Sequence, residues 1–145
     1  MGNKQTIQKV NFEDIQNILL NNSKNVILIN TLENTPEAQS CILPNTIHFS
    51  QEEQVINECL QKAKNISLII YGRNANDITI YQKYAQLHDL GFTNVYVYPG
   101  GMFEWMLLQD IYSDEHFKTT TKELDILKFK PKSEMNTEEF SQIRF

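Results

Sequence analysis

Apolar positions along this chain fall into blocks of two periods. Val26 to Ile29, Ser67 to Tyr71 and Val95 to Tyr98 are short runs rich in aliphatic, β-branched and aromatic residues, the composition of a parallel strand buried on both faces. Between these runs the apolar positions recur at helical spacing: Phe12, Ile15, Ile18 and Leu19; then Ile56, Cys59, Leu60 and Ala63; then Ile78, Tyr81, Ala85 and Leu87 to Leu90. Met102 to Ile111 is a fourth amphipathic piece, and Ile7 to Val10 and Ile47 to Phe49 read as two more short strands. The alternation predicts an α/β domain: a central parallel sheet of about five strands flanked by helices, with Leu68 to Tyr71 in its middle.

Polar residues supply the boundaries. Asn11 with Asp14 three positions on, and Ser50 with Glu53, have the form of helix N-termini, the second as a capping box. Asp77 reads as the N-cap of the next helix and Gly91 as its C′ stop. The strand ending at Tyr71 thus feeds a helix through a short polar loop, Gly72-Arg73-Asn74-Ala75-Asn76-Asp77, and the run from Val95 completes a βαβ crossover. Such a unit places its loop at the carboxyl edge of the sheet, where ligands of open α/β sheets bind and where loop amides and a helix dipole favour an anion. The stretch from Thr31 to Ser40, polar and interrupted by Pro36, is a loop expected at the same edge.

With 145 residues and 41% hydrophobic content the chain fits one domain with a sizeable core. Residues 1–112 form that domain, and 113–145 are a C-terminal extension in which Leu124, Ile126, Leu127 and Phe129 require a surface, on this domain or on a partner. A net charge of −5 argues against nucleic acid as a partner. Cys41 and Cys59 make no disulfide framework and are expected in the core, and His48, His88 and His116 share no ligand spacing, so neither a metal nor another cofactor is expected. His48 is expected buried or at a sheet edge.

No apolar run is long enough to span a bilayer, and the polar start from Gly2 to Thr6 is unlike a secretory signal, which points to the cytoplasm. Met1-Gly2-Asn3-Lys4-Gln5-Thr6 does satisfy the acceptor pattern for N-myristoylation at Gly2, and so raises membrane association. One myristoyl chain gives only marginal binding, K of about 10⁴ M⁻¹, and Lys4 with Lys9 is a weak second signal.

Gly91-Phe92-Thr93-Asn94-Val95-Tyr96 followed by Gly100-Gly101-Met102-Phe103-Glu104-Trp105 resembles the GF-x-NVY and GG-x-x-x-W ending of rhodanese-like domains. Val26 to Leu32 stands where the family has an apolar strand ending in Asp-x-Arg, and Ile42-Leu43-Pro44-Asn45-Thr46-Ile47 where it has HIPGAI; the likeness covers roughly residues 7 to 111. The resemblance implies a rhodanese-like fold whose central strand ends, in active members, in a nucleophilic cysteine that carries a persulfide or, in related phosphatases, a phosphate. Here that position is Gly72, which has no side chain to attack anything. The Asp and Arg positions of the strand motif hold Asn30 and Leu32, and the loop's closing Arg position holds Asp77, which would repel an anion or, as the cap of its helix, compete for the amides an anion needs.

The resemblance therefore implies a fold kept without its usual reaction: a catalytically inactive binding or scaffold module. Arg73 would be the one cation near the cradle, and the Gly72–Asp77 loop or the extension would meet a protein partner. Two other classes stand beside it: a structural subunit of a larger assembly, docking through the extension and the Trp105 region, and an enzyme of sulfurtransferase or phosphatase type using Cys41 or another group.

Overall fold

The computed structural model describes residues 6–135; Gly2 and its acceptor pattern up to Gln5, and the last ten residues of the extension, lie outside them. Strands β1 (Gln8–Lys9), β2 (Val26–Asn30), β3 (Ser67–Tyr71) and β4 (Val95–Tyr98) form one parallel sheet in the order β1-β4-β3-β2. The helices are α1 (Phe12–Asn21), α2 (Glu52–Lys62), α3 (Thr79–Asp89) and α4 (Gly101–Tyr112). β3 is interior, paired along its whole length with β2 and over its last four residues with β4. Its side chains alternate between two cores. Ile69 and Tyr71 meet Ile15, Trp105 and Met106 on one face, and Leu68 and Ile70 meet Ile56, Ile80, Leu87 and Phe92 on the other.

Local chemistry explains where the elements begin and end. Asn11 and Asp14 form a reciprocal capping box: Asn11 Oδ1 accepts from the Asp14 amide at 3.1 Å and Asp14 Oδ2 from the Asn11 amide at 2.9 Å. Gly91, with φ +113°, follows the last residues of α3 in the left-handed conformation that ends helices.

Three expectations are corrected. The sheet has four strands among the described residues, because Ile47 to Phe49 forms no strand: one bond from the Ile47 amide to the Leu28 carbonyl adjoins a lone bridge of Leu28 with Thr46. There His48 turns the chain: its Nδ1 accepts from the Ser50 amide at 3.2 Å and opens a 3₁₀ turn, Phe49–Gln51, that takes the backbone out of the ladder. For the same reason His48 is exposed, and stacked on Phe49. Nor is Ser50 a capping-box residue, since it lies inside that turn; α2 starts at Glu52 after Gln51, which makes no side-chain cap.

The described part of the extension packs back onto the α1–α4 face in two places. Phe117 sits 5.0 Å from the Trp105 ring in an edge-on contact, and Trp105 Nε1 donates to the Lys118 carbonyl at 2.9 Å. After an exposed span, the 3₁₀ turn Ile126–Phe129 lies on α4 with Phe129 buried in the core, whereas Leu124 and Leu127 point outward at 83% and 61% exposure.

Candidate functional site

β2 and β3 end side by side at the carboxyl edge, so Asn30, Thr31 and the loop after Tyr71 converge. Tyr71, fully buried, fixes the neighbouring turn: its hydroxyl accepts from the Leu43 amide at 3.1 Å and lies 2.6 Å from Thr46 Oγ1. Burial pushes its ionisation upward, so it serves as a neutral strut. Asn30, at the Asp position of the family motif, donates through Nδ2 to Gln39 Oε1 at 2.8 Å and accepts through Oδ1 from Gln39 Nε2 at 2.8 Å and from the Leu32 amide at 3.0 Å. Leu32 itself is buried in the core.

The space beyond Gly72 is occupied by Asp77. A Cβ at position 72 would stand 2.4 Å from Asp77 Oδ2 and 2.9 Å from Thr31 Oγ1, closer than carbon–oxygen contact permits. The Asp77 carboxylate takes the loop's own donors: Oδ2 accepts from the Arg73 amide at 2.9 Å, and Oδ1 from the Thr79 amide at 3.0 Å and from the Thr79 hydroxyl. Thr79 Oγ1 also lies 2.7 Å from Thr31 Oγ1. Asn74 Oδ1 and carbonyl take the amides of Asn76 and Asp77, at 2.9 and 3.1 Å. An internal carboxylate thus holds the cradle that the βαβ unit builds for an anion. Asp77 was expected as the N-cap of α3; it does bind the first-turn amide of Thr79, but Ile78 is the residue at the cap position.

The back of the loop is closed by α4. The Met102 and Phe103 amides donate to the Gly72 and Arg73 carbonyls at 3.0 and 2.8 Å. Gly101, at φ +65°, makes this approach possible, because a Cβ there would meet the Gly72 carbonyl oxygen at 2.7 Å. This is the physical content of the double glycine before Trp105.

The extension covers the loop from outside. Arg73 was expected to lend its charge to the cradle, but its Nη2 donates to the Lys128 carbonyl, and Asn74 Nδ2 donates to the Phe129 carbonyl at 2.9 Å. The guanidinium thus answers a backbone dipole of the extension. Of the loop, Arg73, Ala75 and Asn76 remain exposed, followed by Ile78 at 67% exposure. Beside it opens a polar groove of about 460 Å³ lined by Thr31, Asn34, Glu52, Thr79, Lys83 and Gln86 among others, with Lys83 and Glu52 paired at 2.6 Å.

Cys41 is 1% exposed and its Sγ donates to the Thr121 carbonyl at 3.4 Å. Burial raises its thiol pKa, so thiolate is scarce. In native protein near neutral pH its alkylation by iodoacetamide should be far slower than that of a free thiol and reach that rate only on unfolding; mass spectrometry of timed samples checks it. Cys59 is also buried and its pKa also raised by burial. No cluster of three potential metal ligands occurs among the described residues.

The rhodanese-like domain family model matches residues 12–108, and the chain belongs to that family. Among solved structures it is similar to the single-domain sulfurtransferase RDL2 of Saccharomyces cerevisiae, at 15% identity over 77% of this chain and 98% of that one, TM-score 0.57. The Alr3790 protein of Anabaena sp. gives 15% identity over 81% and 84% of the two chains, TM-score 0.56. The BH2092 protein of Bacillus halodurans gives 15% over 69% and 72%, TM-score 0.55. Identities this low speak to the fold. A comparison with curated proteins gives no match.

Asp77 and Arg73 were thus both legible as loop residues, and Asp77 as a competitor for the amides of its helix start; its reach back to the Arg73 amide and the turn of Arg73 away from the cradle were not. The signal that could have reversed the reading of Asp77 is the coincidence of a glycine at the nucleophile position with a short carboxylate five residues on.

Proposed function

We propose that this chain is a catalytically inactive rhodanese-like module that binds a protein partner at the carboxyl edge of its sheet and is held near a membrane by an acyl group on Gly2. The observation that carries the first part is the Asp77 carboxylate seated in the cradle, with Gly72 in place of a nucleophile. Sulfur or phosphoryl transfer of the family's kind needs an attacking group at the end of β3 and donors free to hold an anion. The yeast neighbour is described as a sulfurtransferase; in this chain both requirements go unmet.

The exposed Ala75, Asn76 and Ile78, beside the polar groove, favour a protein contact. The purified chain should turn over neither thiosulfate with cyanide nor an aryl phosphate above a heat-treated control. Turnover that survives Cys41→Ser would overturn the proposal, and turnover lost with Cys41→Ser would make Cys41 the attacking group. A partner recovered with the chain should be lost on Ile78→Glu, with folding unchanged by circular dichroism.

A second reading, a structural subunit docking through the extension, is favoured by the outward Leu124 and Leu127. It predicts that Leu124→Asp, rather than Ile78→Glu, releases the partner. For the tether, Gly2→Ala should move the protein from membrane pellet to supernatant, and the intact mass should fall by one acyl group. An intact mass of the original chain that matches unmodified Gly2 would remove the tether.

A further inference from the structure

Beyond Thr121 the extension changes its manner of attachment. Up to that point main-chain groups of the extension and the body bond directly: the Thr120 amide donates to the Ile42 carbonyl at 2.9 Å, the Ile42 amide to Thr120 Oγ1 at 3.1 Å, and Thr121 Oγ1 to the Ser40 carbonyl at 2.8 Å. From residue 122 to residue 135, the hydrogen bonds to the body among the described residues all run from a side chain to a main-chain carbonyl. Arg73 Nη2 donates to the Lys128 carbonyl, Asn74 Nδ2 to the Phe129 carbonyl at 2.9 Å, and Lys128 Nζ to the Glu37 carbonyl at 3.1 Å. Carbonyls taken up by side chains around one aromatic anchor are the contacts that hold a bound peptide.

The segment is also shaped by its own bonds. The Lys128 and Lys130 amides donate to the Asp125 and Leu127 carbonyls, both at 3.1 Å, and Glu123 pairs with Lys128 at 3.6 Å. A 3₁₀ turn repeats every three residues, so Ile126 and Phe129 share one face; both pack on the core, while Leu124 and Leu127 point outward. Beside the approach to this turn the packing is open: a groove of about 290 Å³, lined by Met106, Gln109, Asp110, Leu124 and Ile126 among others, lies between residues 122–126 and the second half of α4. Asn74 is only 6% exposed and its Nδ2 has the Phe129 carbonyl as acceptor, so a segment seated here has to bring a carbonyl.

We propose that Arg73, Asn74 and the recess filled by Phe129 are a peptide-docking site which residues 126–129 occupy as a ligand in cis, and that the partner it fits carries a short turn of the form apolar-x-x-aromatic. Such a turn brings two side chains on one face for the recess, and its last two carbonyls for Arg73 and Asn74. The inference rests on the partner contact proposed above for the source of the segment, and seats it on the same loop, next to Ala75 and Asn76. Partner and extension then exclude each other. The cis copy, held at an effective concentration of about millimolar, sets the affinity that an outside segment must exceed.

The test uses the whole chain with a protease site inserted after Lys122, in the exposed span, so that cleavage leaves the last part of the extension seated without a covalent link. The probe is a fluorescent peptide of residues 123–131. The cut protein should take up this peptide saturably in exchange for its own piece, with amide shifts at residues 73–77, and the uncut chain should bind it at least about tenfold more weakly. Phe129→Ala in the peptide should weaken uptake about 100-fold or more, and Arg73→Ala in the body about tenfold. Uptake indifferent to Phe129→Ala, no exchange with the peptide in large excess, or unfolding of the body once its piece is removed would overturn the docking site, the last by showing that the turn is an integral part of the core. The partner contact is judged separately by Ile78→Glu, which should leave peptide exchange unchanged.

Discussion

Replacing Gly72 by cysteine, the residue that active members carry there, should lower stability by about 2 kcal/mol and leave the protein without sulfurtransferase activity. The incoming Cβ would lie 2.4 Å from Asp77 Oδ2, so the carboxylate must leave the cradle. In leaving it gives up bonds from the Arg73 and Thr79 amides. Hydrogen bonds to a charged group contribute about 1.5–3 kcal/mol each, and water at this partly open site recovers part of that. Removing a glycine's freedom in the unfolded chain offsets about 0.4–1 kcal/mol. At roughly 3 °C per kcal/mol for a chain of this size, the melting temperature should fall by about 5 °C. Coupling is the sharper test. Asp77→Ala alone should also destabilise, but the double variant Gly72→Cys/Asp77→Ala should cost less than the two single changes together by 1 kcal/mol or more, because both disrupt one arrangement. Additive costs in urea unfolding would show that Gly72 and Asp77 do not exclude each other.

Phe129→Ala should have the largest effect on stability, about 3–5 kcal/mol and roughly 10 °C in melting temperature. Phe129 is 2% exposed within the core cluster that holds Trp105, Met102 and Tyr98. The change should be felt beyond the core. The Lys128 and Phe129 carbonyls hold Arg73 and Asn74, so losing the anchor should raise hydrogen exchange at residues 73–77 as well as 126–130. Protection in β3 should outlast both. The Phe117 anchor should persist too, since its partners Trp105 and Gln109 are separate from the loop. Equal exchange throughout would mean that the extension is one cooperative unit with the sheet.

These two variants probe what makes the site unlike an open cradle. From inside, Asp77 occupies the donors. From outside, the 3₁₀ turn Ile126–Phe129 ties down Arg73 and Asn74. The exposed remainder, Ala75, Asn76 and Ile78, is the surface proposed for a partner contact.

The sequence by itself determined the parallel α/β architecture, the interior position of Leu68 to Tyr71, and the capping of α1 by Asn11 and Asp14. Each follows from residues close together in the chain: apolar runs of strand length, helical spacing, a side chain within reach of an amide three positions away. Ile47 to Phe49 shows the limit of that reasoning, because its strand-like composition yields to the turn made by His48, which ends the ladder after one bridge. Only the tertiary structure decided what the site residues do. Asp77, legible as a cap, also reaches back to the Arg73 amide because Gly72 leaves room for its carboxylate. Arg73 turns from the cradle because Lys128, 55 residues later, offers a carbonyl. Such pairings depend on contacts between distant parts of the chain, and neither the spacing nor the composition of any one segment contains them.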